Sequence, residues 1–135
     1  MAGRSGGRQL VSSGSRYEQQ FGYSRAVRVG NVVHVAGTTG IGPDGKVVAP
    51  GDGYLQAKRT LEIIQRALEE AGAGLEHVVR TRVFVTDKDQ VEPALRAHGE
   101  VFADIRPATS LIGIAYLIDP AMVVEIEAIA IIPAD

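Results

Sequence analysis

Two carboxylates two residues apart, Glu125 and Glu127 in the run VVEIEAIA, are the side chains of this sequence best placed to do chemistry. Alternate residues of a strand point to the same face, so both acids share one face with Val123, Ile129 and Ile131. Val124, Ile126, Ala128, Ala130 and Ile132 make an apolar opposite face that must pack beneath helices. The acidic face has two readings. In the structural one, Arg80 and Arg82 on the equivalent face of another strand form a cross-strand ion ladder with it, stabilising by about 0.2–1 kcal/mol per pair. In the chemical one, a glutamate in a partly dry cleft transfers a proton. One glutamate can serve each role.

Other chemistries find little support. His34, His77 and His98 are scattered, without metal-ligand spacing, so neither a metal site nor a cofactor is expected. His98 sits on an apolar helix stripe and reads as a packed, hydrogen-bonded histidine. No serine lies in a G-x-S-x-G context. There is no cysteine, which removes disulfides and thiolate nucleophiles. The loop GIGPDG, Gly40 to Gly45, reads as a tight turn. It lacks the Lys-Ser/Thr ending of a phosphate loop.

The elements that must carry these residues follow from periodicity. The chain has 135 residues, 45% hydrophobic and 22% charged, the profile of a single globular domain. Residues 1–15, rich in Gly, Ser and Arg, read as a flexible N-terminal tail, and residues 16–135 as the domain. Ser24 to Val29 and Asn31 to Gly37 form a hairpin about Gly30-Asn31. Residues 54–71 form a helix on the repeat Ala57, Leu61, Ile64, Leu68, with Asp52-Gly53 before it and Gly72 closing it. Residues 77–86 form a strand with Val79, Thr81, Val83 and Val85 on one face and Arg80, Arg82 and Phe84 on the other. A second helix spans about 90–103, with a capping box from Asp89 and Glu92 and an inner stripe of Val91, Ala94, Leu95, His98 and Phe102. Two apolar strands joined by a short turn at Asp119-Pro120 complete the order β-β-α-β-α-β-β. This is an α+β fold with two helices on one face of a mixed sheet. The other sheet face would be bare in a monomer, which points to assembly.

Net charge is −2, so no nucleic-acid backbone is expected as a partner. No apolar run approaches the roughly 20 residues that cross a bilayer. No signal-peptide segment follows Arg4 and Arg8, so no membrane partner and a cytoplasmic setting are expected.

The blocks VGNVVHVAGTTG, LEEAGAGLEHVVRTRVFVTD, RPATS and VVEIEAIA together resemble the Rid family, also called YjgF/YER057c/UK114, from about Tyr23 to Ile132. The resemblance implies a chorismate-mutase-like fold. It also implies a homotrimer whose sheets line a central barrel, with ligand clefts between subunits. The activity it implies is hydrolysis of reactive enamines and imines to 2-keto acids and ammonia. Carried over position by position, it makes Glu125 the catalytic glutamate, and Tyr23 and Gly37 substrate-binding residues, with Ala36 where the family has serine.

At the position of the family's substrate-anchoring arginine this chain has Thr109. Guanidinium binds a carboxylate through two charge-assisted hydrogen bonds, whereas threonine offers one neutral hydroxyl. Losing a charged hydrogen bond costs about 1.5–3 kcal/mol, so 2-imino acids should be bound ten- to a hundredfold less well. Arg106, three residues earlier, is the candidate substitute, with Arg25 and Arg82 behind it. The expectation is a trimer that binds a small metabolite and acts on an imine, enamine or related carbonyl compound, but is a poor 2-imino acid deaminase. The alternative is a non-catalytic ligand-binding or regulatory trimer. RNA cleavage, attached to some relatives, is disfavoured by the charge and by the lack of an aromatic-basic stripe.

Overall fold

The structure, a computed structural model, describes residues 2–5 and 7–134. One mixed seven-stranded sheet runs β1 (Ala2–Ser5), β2 (Arg8–Val11), β3 (Ala26–Val29), β4 (Val32–Thr38), β7 (Val124–Ile131), β5 (Val78–Val85), β6 (Ala108–Gly113). Among the described residues only the β5–β6 pair is parallel. A short helix α1 (Arg16–Phe21) precedes β3, and the long helices α2 (Gly53–Glu70) and α3 (Val91–Phe102) cover one face.

Helix α2 forms where the apolar repeat predicts it. Asp52 accepts a hydrogen bond from the Leu55 amide at its start, and Gly72 takes φ 85° just beyond its end. Leu61, Ile64 and Leu68 are fully buried against Val33 and Val35 of β4 and Val124, Ile126 and Ala128 of β7. Two polar residues on the same helix stripe, Gln56 and Thr60, are equally buried. Gln56 donates from Nε2 to the Ala49 and Ala121 carbonyls and accepts the Val123 amide at 2.9 Å. It thereby fixes the backbone that leads into β7.

Several expectations need correction. The segment 1–15, expected as a flexible tail, contributes strands. Arg8–Val11 pairs with β3, and Val11 is buried in the core. The unpaired edge of β3 supplies the hydrogen-bonding partner, and four residues with one core side chain suffice to use it. The last two strands are not joined by a short turn. Residues 114–123 separate them, and β5 lies between them in the sheet. The parallel β5–β6 pair instead takes α3 as its crossover.

In β5 a register shift between Val78 and Arg80 turns Val79 out to solvent and Val78 into the core. The Asp89–Glu92 capping box is absent. Asp87 caps a 3₁₀ turn, Lys88–Gln90, that runs into α3 and displaces the start of the helix. On α3 the buried stripe uses Ala97 in place of the exposed Leu95.

Candidate functional site

The two faces of β7 separate as the alternation requires. Val124, Ile126, Ala128 and Ala130 are buried under the helices, while Glu125 and Glu127 are half-buried on the opposite face. Glu127 lies directly across from Arg82 of β5 and accepts its Nε at 3.0 Å, the structural ion pair of the ladder reading. Arg80 donates to the Ser110 hydroxyl instead. Glu125 lies across from Phe84, which offers it no charge.

Strand β4 shapes the surroundings of Glu125. A bulge between Val35 and Thr38 brings Gly37 against the Glu125 carboxylate. A Cβ at residue 37 would stand 2.8 Å from Glu125 Cδ and Oε1, so only glycine leaves the carboxylate where it is. Burial pushes the Glu125 carboxyl up from its ordinary value. The Glu127 charge adds to this and the Arg25 charge offsets part of it. A carboxyl in this state is suited to both taking and returning a proton.

Glu125 and Gly37 open onto a cavity of about 1120 Å³ lined also by Tyr23, Arg25, Thr38, Ile118 and Met122. Arg25 and Glu18 are each only 5% exposed and pair at 3.1 Å. Arg25 also donates from Nη1 to the Gly37 carbonyl at 2.6 Å and to Thr38 Oγ1 at 3.0 Å, and its guanidinium lies 5.5 Å from the centre of the Tyr23 ring. Burial alone would raise the Glu18 carboxyl. Hydrogen bonds from Ser13, the Arg25 charge and the Ser12 hydroxyl together hold it below the usual carboxylate range.

The cavity therefore joins four of the residues named from the sequence: Tyr23, Gly37, Glu125 and Arg25, the last of these one of the possible substitutes for the missing arginine. Thr109 and Arg106 are not among its walls within one chain. The Thr109 hydroxyl bonds Thr81 Oγ1 at 2.8 Å and donates to the Pro107 carbonyl. Thr81 in turn bonds Nε2 of His98 on α3, so Thr109 turns toward the helix side of the sheet, away from the face of Glu125. Burial lowers His98 below its ordinary value, in keeping with a packed, neutral ring.

Arg106 is exposed at φ 59°, where its amide donates to the Phe102 carbonyl and closes α3. Arg82 is engaged by Glu127. Glu18 went unnoticed in the sequence, although Ser15-x-x-Glu18 has the spacing of a helix start. The Ser15 hydroxyl does cap α1, but Glu18 turns instead to Arg25 and the two preceding serines. Among the described residues no group of three or more His, Asp or Glu side chains could hold a metal ion.

Comparison with known proteins places this geometry in context. The family model described as Endoribonuclease L-PSP matches residues 14–132. A protein of Streptomyces coelicolor is 40% identical over 117 residues, covering 87% of each chain. The crystal structure of a YjgF/YER057c/UK114 family member from Mycobacterium tuberculosis superposes with a TM-score of 0.83 at 46% identity, over 93% of this chain and 99% of that one. The structure of E. coli TdcF with bound serine gives a TM-score of 0.75 at 26% identity, over 82% and 88% of the two chains. With the fold shared and nearly the whole domain matched, the chain belongs to the Rid family, YjgF/YER057c/UK114.

Proposed function

We propose that the Glu125 cavity binds a small metabolite and that Glu125 assists water attack on an imine, enamine or related carbonyl carbon. The observation that carries this reading is the Glu125 carboxyl, pressed against Gly37 in a half-buried cavity and raised above its ordinary value. As carboxylate, Glu125 takes a proton from water as its oxygen adds to the C=N carbon. As acid, it returns that proton to the nitrogen to give a carbinolamine, whose hydroxyl proton then passes by the same carboxylate to the nitrogen as the C–N bond breaks, giving a carbonyl product and ammonia. TdcF, a similar protein, holds serine in its structure, which supports a ligand of that size.

The working form is a homotrimer in a cytoplasmic setting. The open sheet face carries Arg82, Phe84, Glu127 and the exposed Ile131, and Tyr116 and Ile118 are exposed near it in sequence; these favour assembly over a bare monomer. Clefts between subunits would also offer Thr109 and Arg106 a route to a neighbour's cavity. Sedimentation that gives a monomer would refute this part.

The chain is expected to be a poor 2-imino acid deaminase. Thr109 is engaged on the helix side, Arg82 is paired with Glu127, and Arg25 is paired with Glu18, so none of these three positions offers an unengaged guanidinium beside Glu125 to grip a carboxylate. A keto-acid assay with 2-aminoacrylate or 2-iminobutanoate generated in situ should give little product. Strong turnover that depends on Arg106, Arg25 or Arg82 would overturn the reading of position 109. Appearance of activity in Thr109→Arg would show Glu125 competent, and continued silence would count against its catalytic role.

The same missing anchor favours a second reading, a trimer that binds a metabolite without converting it. It is distinguished by a ligand that raises the melting temperature with no product formed.

A further inference from the structure

The bulge that brings Gly37 against Glu125 needs a support of its own. Val35 pairs with Ala128 and Thr38 with Ile126, so Ala36 and Gly37 together stand opposite Glu127 alone. A bulge disrupts the ladder locally, and the backbone groups freed there must find partners elsewhere. Here they find them on Arg25, just before β3. Its carbonyl accepts the Ala36 amide at 2.9 Å. Its Nη1 donates to the Gly37 carbonyl at 2.6 Å and to Thr38 Oγ1 at 3.0 Å. The Thr38 hydroxyl donates in turn to the Ala36 carbonyl at 2.7 Å. One residue thus ties down positions 36, 37 and 38.

Arg25 is itself held from its other side. Nε donates to Glu18 Oε2 at 3.1 Å, and Glu18 accepts from the Ser13 amide and from the hydroxyls of Ser12 and Ser13. Arg25 and Glu18 are each only 5% exposed. A guanidinium so buried needs its counter-charge, and the pair is rigid because both partners carry further hydrogen bonds. Arginine suits such a bridge. Its planar fork donates in two directions at once, whereas lysine offers one compact charge.

We propose that Arg25 is a positioning residue for Glu125, with Glu18 as its anchor: through the Gly37 carbonyl it holds the β4 bulge against the Glu125 carboxylate, without taking part in the reaction. The inference rests on the reading of Glu125 as the reacting group. The contacts run from Ser12 and Ser13 through Glu18, Arg25 and Gly37 to the carboxylate, so residues near the start of the chain set the orientation of a side chain on its last strand.

Arg25→Lys tests this, because it keeps the positive charge beside Glu125 and removes the fork. The readout is the NMR titration of the Glu125 carboxyl, which a pair serving stability alone would leave where it is. In folded Arg25→Lys the bulge should loosen, water should reach the carboxyl, and its titration should move down toward the ordinary range. Gly37→Ala should move it the same way by displacing the carboxyl directly. Since both act on one contact, adding Arg25→Lys to Gly37→Ala should shift the titration no further. In the wild type, hydrogen bonds at Nε and Nη1 should stop rotation of the guanidinium. Its two Nη groups should then give separate proton signals, which move together with the Gly37 amide as Glu125 titrates.

A single averaged Nη signal in the wild type overturns the proposal, and that measurement needs no variant to fold. So does an unmoved Glu125 titration in folded Arg25→Lys, or a double variant whose shift is the sum of the two single ones. None of these measurements reads turnover. An inactive protein with these titrations as expected would refute the catalytic role of Glu125 and leave the positioning of its carboxylate standing.

Discussion

Gly37→Ala separates the requirements of the site from those of the fold. Residue 37 has no positive φ, so alanine is acceptable to the backbone and the added methyl is the whole perturbation. That methyl would lie 2.8 Å from Glu125 Cδ and Oε1 and 3.0 Å from Oε2. Ordinary carbon contacts begin near about 3.5 Å, so the carboxylate must withdraw by roughly 0.7 Å. The obstructing atoms are the end of a flexible side chain, so withdrawal takes a rotamer change and not a backbone shift. A stability loss of about 1 kcal/mol or less is expected, since an off-rotamer side chain costs about 0.5–1.5 kcal/mol at most.

Function should respond far more. Displacing a reacting group by about 1 Å can cost on the order of a hundredfold in rate. Melting curves measure the first effect, and turnover of a neutral imine, or ligand affinity if no turnover exists, measures the second. A carboxyl-detected NMR titration of Glu125 adds a third readout, since leaving the tight contact with Gly37 exposes the carboxyl and moves its titration back toward the ordinary range. If Gly37→Ala melts like the wild type, titrates like the wild type and retains activity or binding, the contact between Gly37 and Glu125 does not organise the site.

Because Glu125 titrates above its ordinary value in the folded chain, the folded state holds its proton longer than the unfolded state does. Stability therefore falls as pH rises from the unfolded value through the folded one. Glu125→Gln should remove that slope, melting above the wild type at neutral pH with the gap closing in acid; a melting temperature below the wild type throughout would contradict it. Thr81→Val keeps the buried shape but strips His98 Nε2 and Thr109 of a partner, so denaturant unfolding should show a loss of about 1–3 kcal/mol. Arg82 is half exposed, so a double-mutant cycle with Glu127 should return a coupling of about 1 kcal/mol or less that shrinks with added salt. A coupling of several kcal/mol would mean that this pair is buried in the assembled form.

Periodicity made the β3–β4 hairpin, α2 and the two faces of β7 legible, because each buries one continuous stripe. It failed where tertiary contacts outweigh local pattern. Strand β2 places one core residue, Val11, among polar neighbours and depends on the edge of β3. Val79 alternates correctly but lies at a register shift. Gln56 is polar yet fully buried on α2, and the Ala49 and Ala121 carbonyls with the Val123 amide, 7, 65 and 67 residues away, make that burial tolerable. Within the site, Tyr23, Gly37 and Glu125 were nameable because the resemblance supplied their roles. Glu18 was not, because its significance lies in holding Arg25 in place. The direction of Thr109 was equally hidden, since strand alternation says nothing about which face looks toward α3 until β6 is placed beside β5.

Strand β7, last of the strands in the chain, lies in the interior of the sheet between β4 and β5. The sheet is therefore two unconnected pieces, β1 to β4 and β5 with β6, until the final strand inserts between them. Glu125 arrives with that insertion, and Gln56 locks it across 65 and 67 residues of intervening chain. Closing so long a loop carries an entropic cost that must be met before these bonds reward it. The consequence is a coupling in time. The cavity and the completed fold come into being in the same event, so a nascent or C-terminally shortened chain holds no partial version of the site. Activity or ligand binding then reports directly on the population of fully closed sheets.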